Sequence, residues 1–134
     1  MLLTKECDYA IRVVRSLADL EKKSVKTICE HEQIPQFFAY KILKKLEHAG
    51  IVHSHRGTYG GYQLAKKLDD ITLYKIVSVI EENWFLNECL QPGYTCPQNT
   101  NGNNCGVHQE LERIQGLLVN ALKEKSLDMI LFGK

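Results

Sequence analysis

Three thiols and an imidazole, Cys89, Cys96, Cys105 and His108, are separated by six, eight and two residues and form the most chemically capable group in this chain. Thiolates and imidazoles are ligands for transition metals, and a metal is what such a set suits. They stand among Pro92, Gly93, Pro97, Asn99, Asn101, Gly102, Asn103 and Asn104. So polar and turn-rich a segment has little apolar surface to bury, and its ordering calls for a ligand rather than a core. A plain spacer is the competing reading, yet three of the chain's five cysteines fall inside this one segment. Zinc is the rival metal, although zinc modules usually bring their cysteines as close Cys-x2-4-Cys pairs, and none occurs here.

The elements that must position this loop begin with the chain's frame. At 134 residues, 44% hydrophobic, with three prolines, one compact unit with a partner-dependent extension is expected. The sequence has no run of about 18 apolar residues to span a bilayer, and its first residues enter an acidic amphipathic pattern without a signal-peptide core. The expected location is cytoplasmic, where five cysteines act as ligands, sensors or core residues rather than as a disulfide framework. Residues 1–80 carry 13 Lys/Arg against 9 Asp/Glu, and residues 81–134 carry 4 against 7. A basic front half suits a polyanion such as DNA.

Along that front half, Thr4 is expected to cap a helix whose apolar positions Tyr9, Ala10, Val13, Val14, Leu17 and Leu20 carry it to about Glu21–Lys23. A short helix holding Ile28 and Cys29 follows, with Cys29 expected in the core. Pro35 then opens a helix over about 36–48, with Phe38, Ile42, Leu43 and Leu46 inward and Gly50 as its stop. Helix, short turn and helix make a helix-turn-helix. Ile51–His55 and Tyr62–Ala65 alternate like strands around the turn Arg56-Gly57-Thr58-Tyr59-Gly60-Gly61, which makes the hairpin a wing. The second helix of such a motif enters the major groove. Gln36, Phe37, Tyr40, Lys41 and Lys44 are its candidate reading face, and Arg56, Thr58, Tyr59, Gly60 and Gly61 the wing's candidate DNA contacts.

The back half is expected to hold a helix starting at Ile71-Thr72-Leu73 and a long one starting near Cys105. In the latter, Val107, Leu111, Ile114, Leu118, Ala121 and Leu122 recur as a seam. A homodimer built on that seam, with two readers on the half-sites of a palindromic operator in double-stranded DNA, is expected in preference to a helix folded back on its own domain. Ser126-Leu127-Asp128-Met129 reads as a capped last turn.

The segments Leu3-Thr4-Lys5 with Asp8-Tyr9-Ala10-Ile11-Arg12, Ile42-Leu43-Lys44-Lys45-Leu46 with Ala49-Gly50-Ile51-Val52, and the wing Arg56–Leu64 together resemble the Rrf-two family of winged-helix transcription regulators, over almost the whole chain. The resemblance implies a mainly α fold: a winged helix-turn-helix DNA-binding domain with a two-stranded wing (1–82), a cysteine-rich cluster-binding loop (83–105), and a long C-terminal dimerisation helix with a closing turn (106–134). It also implies an iron–sulfur cluster, 2Fe-2S or 4Fe-4S, on Cys89, Cys96 and Cys105. Two arrangements of the fourth ligand are similar to ones in the family, His108 or the partner subunit's Asp8, and the resemblance over Leu3 to Arg12 favours Asp8. The gaps of six and eight are wider than is common in the cluster-bearing branch.

The expected function is transcriptional regulation by an iron–sulfur cluster that senses redox state, nitric oxide or cluster supply. The alternatives are a cluster-free regulator of the same family, controlled by a protein partner or thiol oxidation, and a zinc-binding regulator. No enzyme is expected: the chain has no Cys-x-x-Cys redox pair and no Walker phosphate loop, and the glycines at 57–61 lie between strands and open no helix.

Overall fold

A computed structural model describes residues 3–97 and 105–133. The run Asn99, Asn101, Gly102, Asn103 and Asn104 therefore lies outside the described residues. Helix α1 (Lys5–Ser16) opens on Thr4, whose hydroxyl accepts the Cys7 N–H at 3.3 Å, and its buried face is Cys7, Tyr9, Ala10, Val13 and Val14. It stops well short of the expected end at Glu21–Lys23. The Leu17 N–H is shared between Val13 and Val14, the next residues turn, and Leu20 takes a φ of 66° with its side chain exposed. The reason is tertiary: Lys23 must reach Tyr62, and the two exchange backbone hydrogen bonds of 2.9 and 2.8 Å. A helix continued to Lys23 would forfeit both.

Ser24 caps α2 (Val25–Glu32), and Gln33 ends it in the left-handed region at φ 55°. Helix α3 (Gln36–His48) has the expected limits, with Pro35 standing one place earlier than expected, at the N-cap rather than inside the first turn. Its C-terminus is a Schellman closure. The Ile51 N–H reaches the Leu46 carbonyl, the Gly50 N–H reaches that of Glu47, and Gly50 supplies φ 76°. Ala39, Ile42, Leu43 and Leu46 are buried, while Phe38 is half-buried against Tyr9 at 5.5 Å between ring centroids.

Strands β1 (Val52–His55) and β2 (Gly61–Leu64) form the only sheet among the described residues, antiparallel, with Val52 opposite Leu64 and His55 opposite Gly61. Val52 and Leu64 turn inward to the core. After a single 3-10 turn at Leu68–Asp70, Thr72 caps α4 (Leu73–Ile80), whose Ile76, Val77 and Ile80 pack on α1 and α3. Cys29 is half-buried against this core, and Cys7 lies within it, fully buried.

Helix α5 (Gly106–Glu124) returns along α4, and none of its residues is fully buried. The Lys123 ammonium sits 4.5 Å from the Tyr74 ring near one end of that contact. Ser126 then caps α6 (Leu127–Phe132). Although α6 belongs to the segment expected to serve dimerisation, Leu127 is 1% exposed within the winged core, and its N–H donates to the Ile71 carbonyl at 2.8 Å. Among the described residues no helix is long and apolar enough to cross a membrane.

Candidate cluster site and nucleic-acid interface

The path from α4 to the cysteines is tied down by one side chain. The Gln115 amide, on α5, accepts the Leu86 N–H at 2.9 Å and donates to the Trp84 carbonyl at 3.3 Å, as a neighbouring strand would. Asn87 then caps a 3-10 turn at Glu88–Leu90, and its side-chain amide donates to the Cys89 Sγ at 3.5 Å. A reversal follows at Gln91–Tyr94, closed by the Tyr94 N–H on the Gln91 carbonyl at 3.1 Å, with Gly93 at φ 82°. On the far side of the loop, Cys105 is the N-cap of α5, and its sulfur accepts the His108 N–H at 3.5 Å.

These local devices bring the four candidate ligands to one place. Cys89, Cys96, Cys105 and His108 all line a cavity of about 200 Å³, with Asn87, Glu88, Tyr94 and Val107 completing its wall. A neighbouring cavity of about 570 Å³ is lined on its near side by Cys89, Cys96 and His108, and on its far side by Glu112, Gln115 and Gly116. All three loop cysteines are half-buried. Among the described residues, no three His, Cys, Asp or Glu side chains close on a single point as one metal ion would need. Thiolates are the ligands both of zinc and of iron–sulfur clusters, and the three cysteines lining this cavity are a donor set of that type. Asp8, in the first turn of α1, lines neither cavity and pairs with Arg12 at 3.0 Å.

The candidate reading face is open to solvent. Gln36, Phe37, Tyr40, Lys41 and Lys44 are all exposed on α3, Phe37 by 76%. The structure adds a contact that the helix pattern did not show. Lys41 Nζ lies 2.9 Å from Glu6, Lys45 lies 3.6 Å from the same carboxylate, and Lys45 also donates to the Ile80 carbonyl at 3.2 Å. The Lys41 hydrogen bond, aided by the charges of both lysines, holds the Glu6 carboxyl below its ordinary range. Glu6 thus engages one cation of the reading face from α1. On the wing, Arg56, Thr58 and Tyr59 are exposed. Gly60 and Gly61 have an internal reason for being glycine. A Cβ on Gly60 would stand 2.4 Å from the His55 carbonyl oxygen, and one on Gly61 would stand 2.3 Å from that of Lys23.

Residues 3–132 match the Rrf2 family, whose description is iron-dependent transcriptional regulator. The chain is 31% identical to the protein aau3 of Rhizobium meliloti over 131 residues, covering 96% of this chain and 83% of that protein. It is 36% identical to the HTH-type transcriptional regulator NsrR of Geobacillus kaustophilus over 92 residues, covering 66% of this chain and 63% of that protein. Among solved structures it superposes on CymR, the global cysteine regulator of B. subtilis, with a TM-score of 0.73 and 24% identity, over 98% of this chain and 97% of that one. It superposes on T. potens IscR with a TM-score of 0.72 and 22% identity, over 98% and 88%. At those identities the two structures establish the fold, a winged helix.

Proposed function

This chain belongs to the Rrf2 family of transcription regulators, and from that premise we propose that it is a homodimeric DNA-binding regulator whose hold on a palindromic operator is set by an iron–sulfur cluster on Cys89, Cys96 and Cys105. The observation that carries the proposal is the common cavity: residues 16 positions apart in the chain, with His108 beyond them, face one space of about 200 Å³. His108 is the fourth ligand we favour, because it lines that space from within the same chain; the partner subunit's Asp8 is the alternative. When bound, the cluster supplies a group whose charge and integrity respond to oxidant or nitric oxide.

The chain's own residues give that site a route to the reader. Gln115 ties the approach to Cys89 onto α5. At the other end of that approach, the Thr4 hydroxyl donates to Glu81 at 2.6 Å, and Lys45 holds the Ile80 carbonyl while sharing Glu6 with Lys41. The last turn of α4 is thereby joined to both α1 and the reading helix. A shift of the loop bears on the lysines of α3 through these contacts. Exposed Val107 and Leu117, with half-exposed Leu111, Ile114 and Leu118, leave α5 an apolar surface for a second copy.

Protein purified without air tests the reading by its iron and sulfide content and its visible absorption. The expected result is a chromophore that Cys96→Ala abolishes, and an operator affinity, on sites selected from random duplexes, that changes when the chromophore is lost. Colourless, iron-free protein that binds DNA equally well with all three loop cysteines replaced would leave the cluster-free regulator as the function.

A further inference from the structure

Alternation along β1 puts His53 and His55 on the same face of the wing, the face opposite the buried Val52 and Leu64. Both histidines are exposed, and their rings lie 4.8 Å apart between centroids at an interplanar angle of 71°. Across the sheet, His53 faces Gln63 and His55 faces Gly61. The Gln63 amide oxygen is 3.0 Å from His55 Nε2, and the same side chain is anchored by its nitrogen to the Leu20 carbonyl. Two imidazoles and an amide oxygen thus stand together on one face of the hairpin, whose other face is anchored to the core by Val52 and Leu64.

We propose that His53 and His55 form a second metal site, a surface chelate for one borderline divalent transition ion such as Ni²⁺, Cu²⁺ or Zn²⁺, separate from the cysteine loop. The donor type selects the ion class, since imidazole nitrogen suits Ni, Cu and Zn, whereas Mg and Ca prefer oxygen. Bonds of about 2.0–2.1 Å from nitrogen to the metal leave two imidazoles about as far apart as these rings already stand, so a chelate needs only their nitrogens turned toward a common point, which rotation of two exposed side chains supplies without moving the strand. The chelate gains over a lone histidine because one strand has already fixed both ligands. Gln63 or water completes the coordination. An ion held there adds positive charge to the wing that also carries Arg56, the element that the proposed function sets against the phosphate backbone.

Histidine ring resonances of the full-length protein, followed during titration with NiCl₂ at neutral pH, test the proposal. His31 and His48, exposed and without a histidine neighbour on their faces, are the internal controls. Rings of His53 and His55 should broaden together, at a nickel concentration at least tenfold below that needed for the controls. His53→Ala should move the His55 midpoint at least tenfold, up to the control value, with the amide spectrum otherwise retained. Four histidines titrating alike, or a His55 midpoint that ignores the substitution, would overturn the site. Because the readout is residue by residue, nickel taken up by the cysteine loop does not enter it, and the result stands whether or not that loop holds a cluster.

Discussion

The winged half and helix α5 are both largely helical, yet they are held together by different means. Every fully buried apolar side chain among the described residues lies between Cys7 and Ile80, apart from Leu127, and α5 contributes none over its 19 residues. The reader is a body with its own core. The long helix rests on α4 with one flank, is fastened by polar contacts such as those of Gln115, and leaves apolar surface for something else to cover. A segment built that way is stable only to the extent that its neighbours and ligands hold it, which is the property a sensing element needs. The core holds the reader's shape, while α5 is held by its contacts with α4 and by Gln115.

Two leucines of the C-terminal region give the sharpest contrast. Leu127→Ala should destabilise the fold by about 2–5 kcal/mol in thermal or denaturant unfolding, because it empties a site inside the winged core. Leu117→Ala, at a position 56% exposed, should cost less than about 0.5 kcal/mol in the monomer. Similar costs for the two would erase the distinction between the halves. Gly61→Ala should cost about 1–3 kcal/mol, since its Cβ would meet the Lys23 carbonyl and part the bridge between Lys23 and Tyr62. Loss of amide protection at Lys23 and Tyr62, with α3 unaffected, would be its signature in hydrogen exchange.

Gln115→Ala should cost about 1 kcal/mol and speed exchange of the Leu86 amide, which loses its acceptor; unchanged exchange there would mean that the clamp does not hold the loop. The smallest effect is expected at Glu6. Glu6→Gln releases Lys41 and Lys45 from a carboxylate, so the slope of log affinity for DNA against log salt should steepen by about one. The same contact has a pH signature. A carboxyl that titrates below its ordinary range when folded contributes stability that is complete above the unfolded value and lost as pH falls through the folded one. Acid unfolding of Glu6→Gln should therefore lack that increment, and a curve identical to that of the parent protein would show that the pair adds nothing.

The parts legible in the sequence were those with local causes. Helix α3 has the expected limits because Pro35 and Gly50 punctuate it within the chain itself. Thr4 and Ser126 announced their helices by hydroxyls suited to capping, and the wing followed from alternation around a glycine-rich turn. The three cysteines and His108 were found by type and spacing. Their meeting in one cavity was beyond spacing, because it depends on Asn87, on the reversal at Gln91–Tyr94 and on the side-chain clamp of Gln115, a polar residue beside the apolar seam. The end of α1 was misread for a related reason. Leu17 and Leu20 continue the helical period, but Lys23 has a strand partner 39 positions away.

By itself the sequence determined where helices begin, which faces are apolar and which residues can bind metal or DNA, since capping, periodicity and ligand chemistry act within a few bonds or a few turns. Only the tertiary structure decided that Leu127 belongs to the reader, that Glu6 engages a lysine of the reading face, and that Gly60 and Gly61 answer to crowding by nearby carbonyls. Each of those depends on a contact across the fold, where burial and close approach are set by which distant segments meet.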